Sequence, residues 1–576
     1  MADPTGRTIL HINFGDIIDQ PLALTGATKY RFRFLDVAAL AHKSTVHVLE
    51  FEDLPAEPYA VISYVWRGLP AHPDVKSPLP NIHVEGIEGA DPISVDVLRL
   101  ISLAAESFGC RFVWLDALCI LQAHEDDKAW QIQRMYDLYR NCRTCIVAPG
   151  GLQRLVAPTE ETSWMARAWT LQEAIAPPMV HCIFEWSLGN CIMQSNFPLK
   201  IEEIERGVAA VAPLNFTLLT AMKGTGFEML DWSGKSIQKP SPDFQIRMFG
   251  DRSRSHPQMR ELVDAIDMKG KTGMHTAIWR CSFMRMAKYP VDTVFSIMGI
   301  MGVTLDTTKF GHDDRLEATI ALMQAILARG EHAEWLAIAT RVVPNPRLST
   351  LPAFPQTDAS RKPVLESREG MKDVADVMDT GWRLADTPKG TMSDDGYFRF
   401  SALSASVRLV QNQEEGSTAF ESEFGSDSAG KWEVLSQSSE NASHKAVYIG
   451  RWEQYNNGAF GVMRNPRDHA LMLIEEHAPG RFHNVGYAFV PEGVLTTLHS
   501  IFKLPRGLVL SSVFPTAKVD LVANNAGPNS ISNIYILRGA KVLTTGFLDG
   551  ATAEWNLGEL MLSLMLKRGI TQRVFA

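Results

Sequence analysis

Long apolar runs are missing from this 576-residue chain: stretches such as Val294 to Val303 fall well short of the ~20 residues that a membrane-spanning helix needs. The first residues, MADPTGRTILHINFGDIIDQ, have neither the basic start nor the continuous apolar core of a secretory signal, which sets the expectation of a cytoplasmic chain. Basic charge is also short. Lys and Arg number 56 against 65 Asp and Glu, a formal net charge of −9, so nothing draws the chain to phosphate backbones or anionic lipid over long range. Neither nucleic acid nor a membrane is therefore expected as a partner.

Cysteine is sparse, at seven residues, and an odd count in so long a chain suits buried thiols in a reducing compartment. Cys142 and Cys145 form a C-x-x-C, but Ile146 and Val147 follow at once, which places the pair at the entry of a strand. No second pair stands at zinc spacing, and no metal site is expected. His124 and His181 show no ligand spacing either. Three nucleotide and hydrolase signatures are missing as well: the G-x-G-x-x-G fingerprint, the Walker P-loop and the G-x-S-x-G elbow. No repeat at a fixed period is evident.

With 45% hydrophobic and 21% charged residues, the composition is that of a packed, soluble protein. Single cores stop growing at roughly 250–300 residues, so several domains are expected. The pattern divides into an α/β module over 1–200, a helical middle region over 201–345, a linker rich in Pro, Ser and charge over 346–370, and a β-rich region over 371–576. Strand-like runs in the last part include Tyr397 to Arg408, Lys445 to Trp452, Gly486 to Val490 and Gly507 to Val513. The polar stretch Gln411 to His444 reads as a long loop.

The first firm strand is Tyr59 to Trp66 (YAVISYVW). A helical pattern opens near Ser94 and ends at Gly109, and a second strand runs over Arg111 to Ile120. A second helix follows over about Asp126 to Arg140, where the acidic Glu125, Asp126 and Asp127 suit the helix dipole. Thr144 to Ala148 is a third strand. A third helix is predicted over Ser163 to Ile175, stopped by Pro177-Pro178, and Met179 to Glu185 is a fourth strand. Strand and helix alternating in this way make βαβ units, which implies a parallel sheet flanked by helices.

In such a sheet ligands gather at the carboxyl ends of the strands. The first strand brings Ser63, Tyr64 and Trp66 there, and the second brings Asp116, followed by Cys119 and Gln122. On the third predicted helix, Trp164, Ala168, Leu171 and Ile175 form the stripe expected to lie on the sheet. Trp169 and Glu173 are i, i+4 neighbours on another face, with Ala166 one turn earlier. An indole beside a carboxylate suits a flat, partly cationic ring such as nicotinamide, and the aromatic wall limits solvation of Glu173.

YAVISYVW, VWLDALCILQAHEDDKAWQIQRMYDLYRNCRTCIV and RAWTLQEAI resemble, in order and spacing, the three motifs of the fungal heterokaryon incompatibility (HET) domain family. The resemblance covers about residues 30 to 190. One departure is Arg67, which stands where the family usually has Gly, with Gly68 following. KYPVDTVFSIMGI resembles the loosely similar downstream regions of such proteins and carries no functional inference. HET domains are in turn distantly similar to TIR domains, flavodoxin-like modules that act in immunity and cell death by assembly or by cleaving NAD. The glutamate essential in catalytic TIR domains matches Glu173.

That resemblance implies an effector of fungal incompatibility and programmed cell death, an innate-immunity type of role, with NAD as substrate and no required cofactor. Glu173 would stabilise the oxocarbenium-like ribose, while Ser63, Tyr64, Trp66, Asp116, Arg167 and Trp169 would shape the site. Two alternatives stay open. One is a non-enzymatic signalling module that self-associates or binds a protein partner; the other is a different small-molecule chemistry on the same fold. Plainer readings stand beside the chemical ones: Glu173 as a solvated or ion-paired helix residue, Asp116 as a turn cap, Arg167 as an ion-pair or carboxylate-binding residue, and Trp164 and Trp114 as core aromatics.

Overall fold

A computed structural model of the chain describes residues 6–17, 21–71, 79–87, 89–194, 198–237, 243–340, 342, 344–357, 362–367, 370–410, 419–422, 430–435, 444–454, 469–491, 495 and 517–521. All of them belong to one compact unit, Met1–Arg538; the other unit, Gly539–Ala576, lies outside the described residues.

The first sheet holds eleven strands. Three open the chain, β1 (Arg7–Asn13), β2 (Phe32–Asp36) and β3 (Thr45–Phe51), with the short helix α1 (Val37–His42) between the last two. Next come β4 (Tyr59–Tyr64), the small pair β5 (Asn81–Ile82) and β6 (Ile93–Ser94), α2 (Val95–Ser107), β7 (Phe112–Trp114), α3 (Asp116–Cys119), α4 (Glu125–Asn141) and β8 (Thr144–Ala148). After these follow α5 (Trp169–Ile175), β9 (Val180–Glu185), β10 (Cys191–Gln194), β11 (Leu199–Glu205), β12 (Ala209–Pro213), α6 (Leu214–Lys223) and β13 (Glu228–Asp231).

At the centre of the sheet, β7, β4, β8 and β9 lie side by side and parallel. Every residue of β4 and of β8 is buried, as expected of strands covered on both faces. The Ser94 hydroxyl accepts from the Val97 amide to start α2, and Gly109 closes that helix at a φ of +75°. The chain leaves β4 toward β7 but leaves β8 toward β9, on the opposite side. Between the carboxyl ends of β4 and β8 the connections therefore diverge, and a crevice opens.

The sheet is mixed, whereas the sequence pattern predicts a parallel one. Antiparallel strands extend it on both sides, in the order β1-β3-β2 beyond β7 and β12-β11-β10-β13 beyond β9. Such strands need only short connections and no covering crossover helix. One tie to the first group is a buried ion pair, Arg33 Nη1 to Asp127 Oδ2 at 3.2 Å, both side chains fully enclosed. Asp127 thus serves as a counter-ion from α4 and not only as a charge at the helix start.

The region from about 200, expected to be mainly helical, first completes this sheet. Helices follow: α7 (Arg252–Asp267), α8 (Met274–Phe283), α9 (Asp292–Met298) and α10 (Arg315–Ala328). A three-stranded sheet, β14 (Gln356–Thr357), β15 (Pro363–Ser367) and β16 (Gly370–Asp373), precedes α11 (Val374–Val377) and a ten-stranded sheet spanning Trp382 to Leu521. The β-rich C-terminal expectation is met there. Strands at Ala419–Ser422 and Gly430–Val434 fall inside the stretch read as a loop, the rest of which is largely outside the described residues, as is Gly507 to Val513. Glu261 on α7, fully buried, accepts from the Gly381 amide at 3.1 Å and so joins the helices to this second sheet.

Gly68, just past β4, packs directly on the loop after β8. A Cβ added there would lie 1.9 Å from the carbonyl oxygen of Gly150 and 2.7 Å from its carbon. Backbone on both sides leaves no room to yield, so Gly68→Ala is expected to destabilise the domain by about 1–3 kcal/mol or more. At Gly15 an added Cβ meets nothing within 4 Å, and Gly15→Ala is the control. Thermal melts should show a loss of several degrees for the first substitution and little change for the second.

Candidate functional site

Two polar hubs form where β4 and β7 end. Successive residues of a strand face opposite sides, so Ser63 and Tyr64 reach different partners. Ser63, fully buried, donates from Oγ to Glu173 Oε2 at 2.5 Å, and the same oxygen accepts the indole N–H of Trp164 at 2.9 Å. Asp116 collects the second set. Its Oδ1 accepts from the Tyr64 hydroxyl at 2.6 Å and the Ala117 amide at 2.7 Å, and its Oδ2 accepts from the Trp66 indole at 2.7 Å. Asp116, the first residue of α3, therefore holds the adjoining amide of that helix and anchors the end of β4; the N-cap position itself is Leu115.

The third predicted helix is interrupted. Residues Trp164–Ala166 form a single 3-10 turn, Arg167 is extended at φ −86° and ψ 137°, and α5 begins only at Trp169. The cause is Met286, beyond α8. Its amide donates to the Ala166 carbonyl at 2.7 Å, and its carbonyl accepts from the Ala168 amide at 2.8 Å. The backbone groups on either side of Arg167 are thus committed to a strand-like bridge and unavailable to a helix. Residues before the break lose phase with those after it, so Trp164 leaves the stripe expected from a continuous helix, while Ala168, Leu171 and Ile175 stay in phase and buried.

The expected partnership of Trp169 and Glu173 changes accordingly. Trp169 is half-buried, and its indole faces Asp292 at the start of α9, where it opposes the burial that raises the Asp292 carboxyl to about 6. Trp164 is the indole at the Glu173 centre, one hydrogen bond removed through Ser63. Asp292, Met286 and Tyr139 are the residues that sequence reasoning missed. The first falls in the segment KYPVDTVFSIMGI and Met286 stands two residues before it, and nothing local in the sequence ties either to α5. Tyr139 donates to the Ile62 carbonyl at 3.2 Å and also lies in hydrogen-bonding reach of Glu173.

Burial dominates the electrostatics. Loss of solvent pushes the Glu173 carboxyl up to about 8, the Ser63 hydroxyl pulls it back, nearby Asp116 adds to the rise, and Arg167 and Tyr139 oppose it. Asp116 is raised as well, by burial, against the donors Tyr64, Trp66 and Ala117 and the charge of Arg167. Half-buried Arg167 is thus the cation that both carboxyl groups sense. Ser63, Tyr64, Trp66, Asp116, Arg167 and Glu173 converge; Trp169 stands apart on the α9 side.

A cavity of about 370 Å³ lies beside this cluster, in the crevice between β4 and β8. Val65, Arg67 and Gly68 line one wall, and Ser163, Met165 and Ala166 another. None of the seven candidate residues lines it. The turn Trp164–Ala166 stands between, with Trp164 facing Ser63 and its neighbours facing the cavity. Arg67 does not crowd the loop: it is exposed and donates from Nε to the Gly89 carbonyl at 2.6 Å. All seven cysteines are buried thiols, and among the described residues no group of three or more His, Cys, Asp or Glu is placed to hold a metal ion. Among the same residues, no helix is long and apolar enough to cross a membrane.

The site therefore belongs to an α/β module with a parallel core, in which buried carboxyl groups are gathered at strand ends. Residues 59–155 match the family model described as Heterokaryon incompatibility protein (HET), and the chain carries a domain of that family. The match holds Ser63, Tyr64, Trp66 and Asp116 and ends before Arg167, Trp169 and Glu173. Neither a curated protein nor a solved structure matches the chain.

Because the Glu173 carboxyl holds its proton well above the usual carboxylate range, the unfolded chain releases that proton first as pH rises. Stability from this group is complete below about pH 4.5 and is lost progressively up to about pH 8. Glu173→Gln keeps an acceptor for Ser63 and cannot ionise. Melts from pH 5 to 8 should show the variant gaining on wild type, by up to about 1.4 kcal/mol per pH unit. Parallel curves across that range would contradict a neutral, buried Glu173.

Proposed function

We infer that this HET-domain chain acts in fungal heterokaryon incompatibility as an effector of cell death, and that its Glu173 centre cleaves the N-glycosidic bond of NAD. The observation that carries this reading is the direct contact of Glu173 with Ser63 at the carboxyl end of β4, with Asp116 and Arg167 alongside. Strongly shifted acids clustered at strand ends are a physical mark of functional sites. The similarity of HET to TIR domains supplies the substrate class.

In the proposed reaction the bond between nicotinamide and the ribose anomeric carbon breaks, and its electron pair leaves with nicotinamide, which becomes neutral. Water adds to the oxocarbenium-like carbon and loses a proton, giving ADP-ribose. The ionised Glu173 carboxylate stabilises the positive ribose, and Arg167 favours that ionised form. Neutral nicotinamide is a good leaving group, so no strong general acid is needed. Reaction requires the turn Trp164–Ala166 to move, since Glu173 is only 8% exposed.

That burial favours a second reading. If the turn stays shut, the Ser63–Glu173 contact is a structural tie, and the domain acts without catalysis by self-association or by binding a protein partner.

Incubating the purified full chain with NAD and following nicotinamide separates the two. Catalysis predicts release that rises with pH through about 8 and falls at least a hundredfold in Glu173→Gln, with folding retained. No release at high protein concentration, with toxicity in cells surviving the substitution, would establish the scaffold.

A further inference from the structure

The crevice between β4 and β8 is where a doubly wound sheet collects ligands, and here it is hollow. Its volume of about 370 Å³ falls in the range of roughly 300–1,000 Å³ that holds small organic molecules. The lining divides by chemistry. Val65, Leu69, Met165 and Phe249 are apolar, and Thr162, Ser163 and Ser255 present hydroxyls.

The acids at the cavity are already engaged. Glu161 and Asp251 both pair with Arg247, and Asp373 lies 3.9 Å from Lys362. Two cations in the lining are not engaged in this way: among the described residues neither Arg67 nor Arg254 forms an ion pair. Among the described residues the Arg67 side chain hydrogen-bonds the neutral Gly89 carbonyl, through Nε, and its two terminal nitrogens have no acceptor there. A guanidinium fork matches phosphate oxygens in a bidentate way. Arg67 comes from the end of β4 and Arg254 from the first turn of α7, so the two approach the cavity from different elements.

We propose that this crevice binds a small phosphate-bearing organic molecule, with its phosphate between Arg67 and Arg254 and its apolar part against Met165 and Phe249. Lys362, Pro363 and Asp373, from the region of β15 and β16, complete the lining. The site is therefore composite: the ligand touches the HET domain, α7 and the downstream hairpin at once. None of this depends on the chemistry proposed for Glu173.

The test uses the full chain and calorimetric titration with ADP, ribose 5-phosphate and adenosine. ADP should bind at least tenfold more tightly than adenosine. Arg67→Ala and Arg254→Ala, with melting temperatures unchanged in the absence of ligand, should each weaken ADP at least fivefold, and the Lys replacements should weaken it less. Comparable affinity for ribose 5-phosphate would identify a sugar phosphate as the recognised unit; a strong preference for ADP would identify a nucleotide. Equal binding of adenosine and ADP, unaltered ADP binding in the double Ala variant, or no binding of either phosphate compound at millimolar concentration would overturn the proposal. ADP binding should survive Glu173→Gln within twofold, so failure of NAD cleavage and failure of this site read out separately.

Discussion

One hydroxyl oxygen, Ser63 Oγ, joins the end of β4 to two groups that lie 101 and 110 residues downstream. It sits at the end of the fully buried central strand, accepts the Trp164 indole and donates to Glu173. Without it the Trp164 N–H would be a buried donor lacking its acceptor, at a cost of about 1–3 kcal/mol, and Glu173 would lose one of the hydroxyls within its reach, Tyr139 being another. The end of β4, the turn at Trp164 and the helix α5 are thereby held in one arrangement. An apolar residue in place of Ser63 would leave Glu173 with far less to offset its burial, whereas a solvated glutamate would need no such partner.

The same constraint explains the break before α5. A helix continued from Ser163 would carry Trp164 and Glu173 around one axis, with their bearings fixed by the 3.6-residue period. The structure instead needs the indole and the carboxyl to meet a single oxygen, and the extended Arg167 frees the turn from the helix to allow that. Met286 supplies the backbone hydrogen bonds that make the extended residue affordable. Packing of α9 against α5, through Asp292 and Trp169, then holds the short helix from its other side.

What was legible in the sequence follows the range of the interaction that determines it. The strand Thr144–Ala148 and the helix begun by Ser94 and ended by Gly109 rest on local apolar runs and caps, and both occur where the pattern places them. The gathering of Ser63, Asp116 and Glu173 was legible too, because parallel strands deliver their ends to one edge of the sheet. The break at Arg167 was not, since its cause lies more than a hundred residues downstream at Met286. Reading a continuous helix then exchanged the roles of Trp164 and Trp169. The antiparallel strands β1 to β3 escaped notice because their short, separately interrupted runs become strands only by pairing with one another and with β7.

Closure of the site and the state of its acid are one physical problem. Glu173 stays neutral because solvent is kept away, and the turn Trp164–Ala166 is part of what keeps it away from the cavity next to it. Moving that turn would admit water, lower the cost of the charged form and remove the Trp164 N–H from Ser63 in the same step. Arg167, adjoining the turn, is the nearby cation that favours ionisation, and its position is set by the bridge to Met286. The helices after the HET domain therefore hold the segment that governs the charge of Glu173. A change in the packing of α8 and α9 would reach the carboxyl through this backbone bridge without touching any residue of the matched domain.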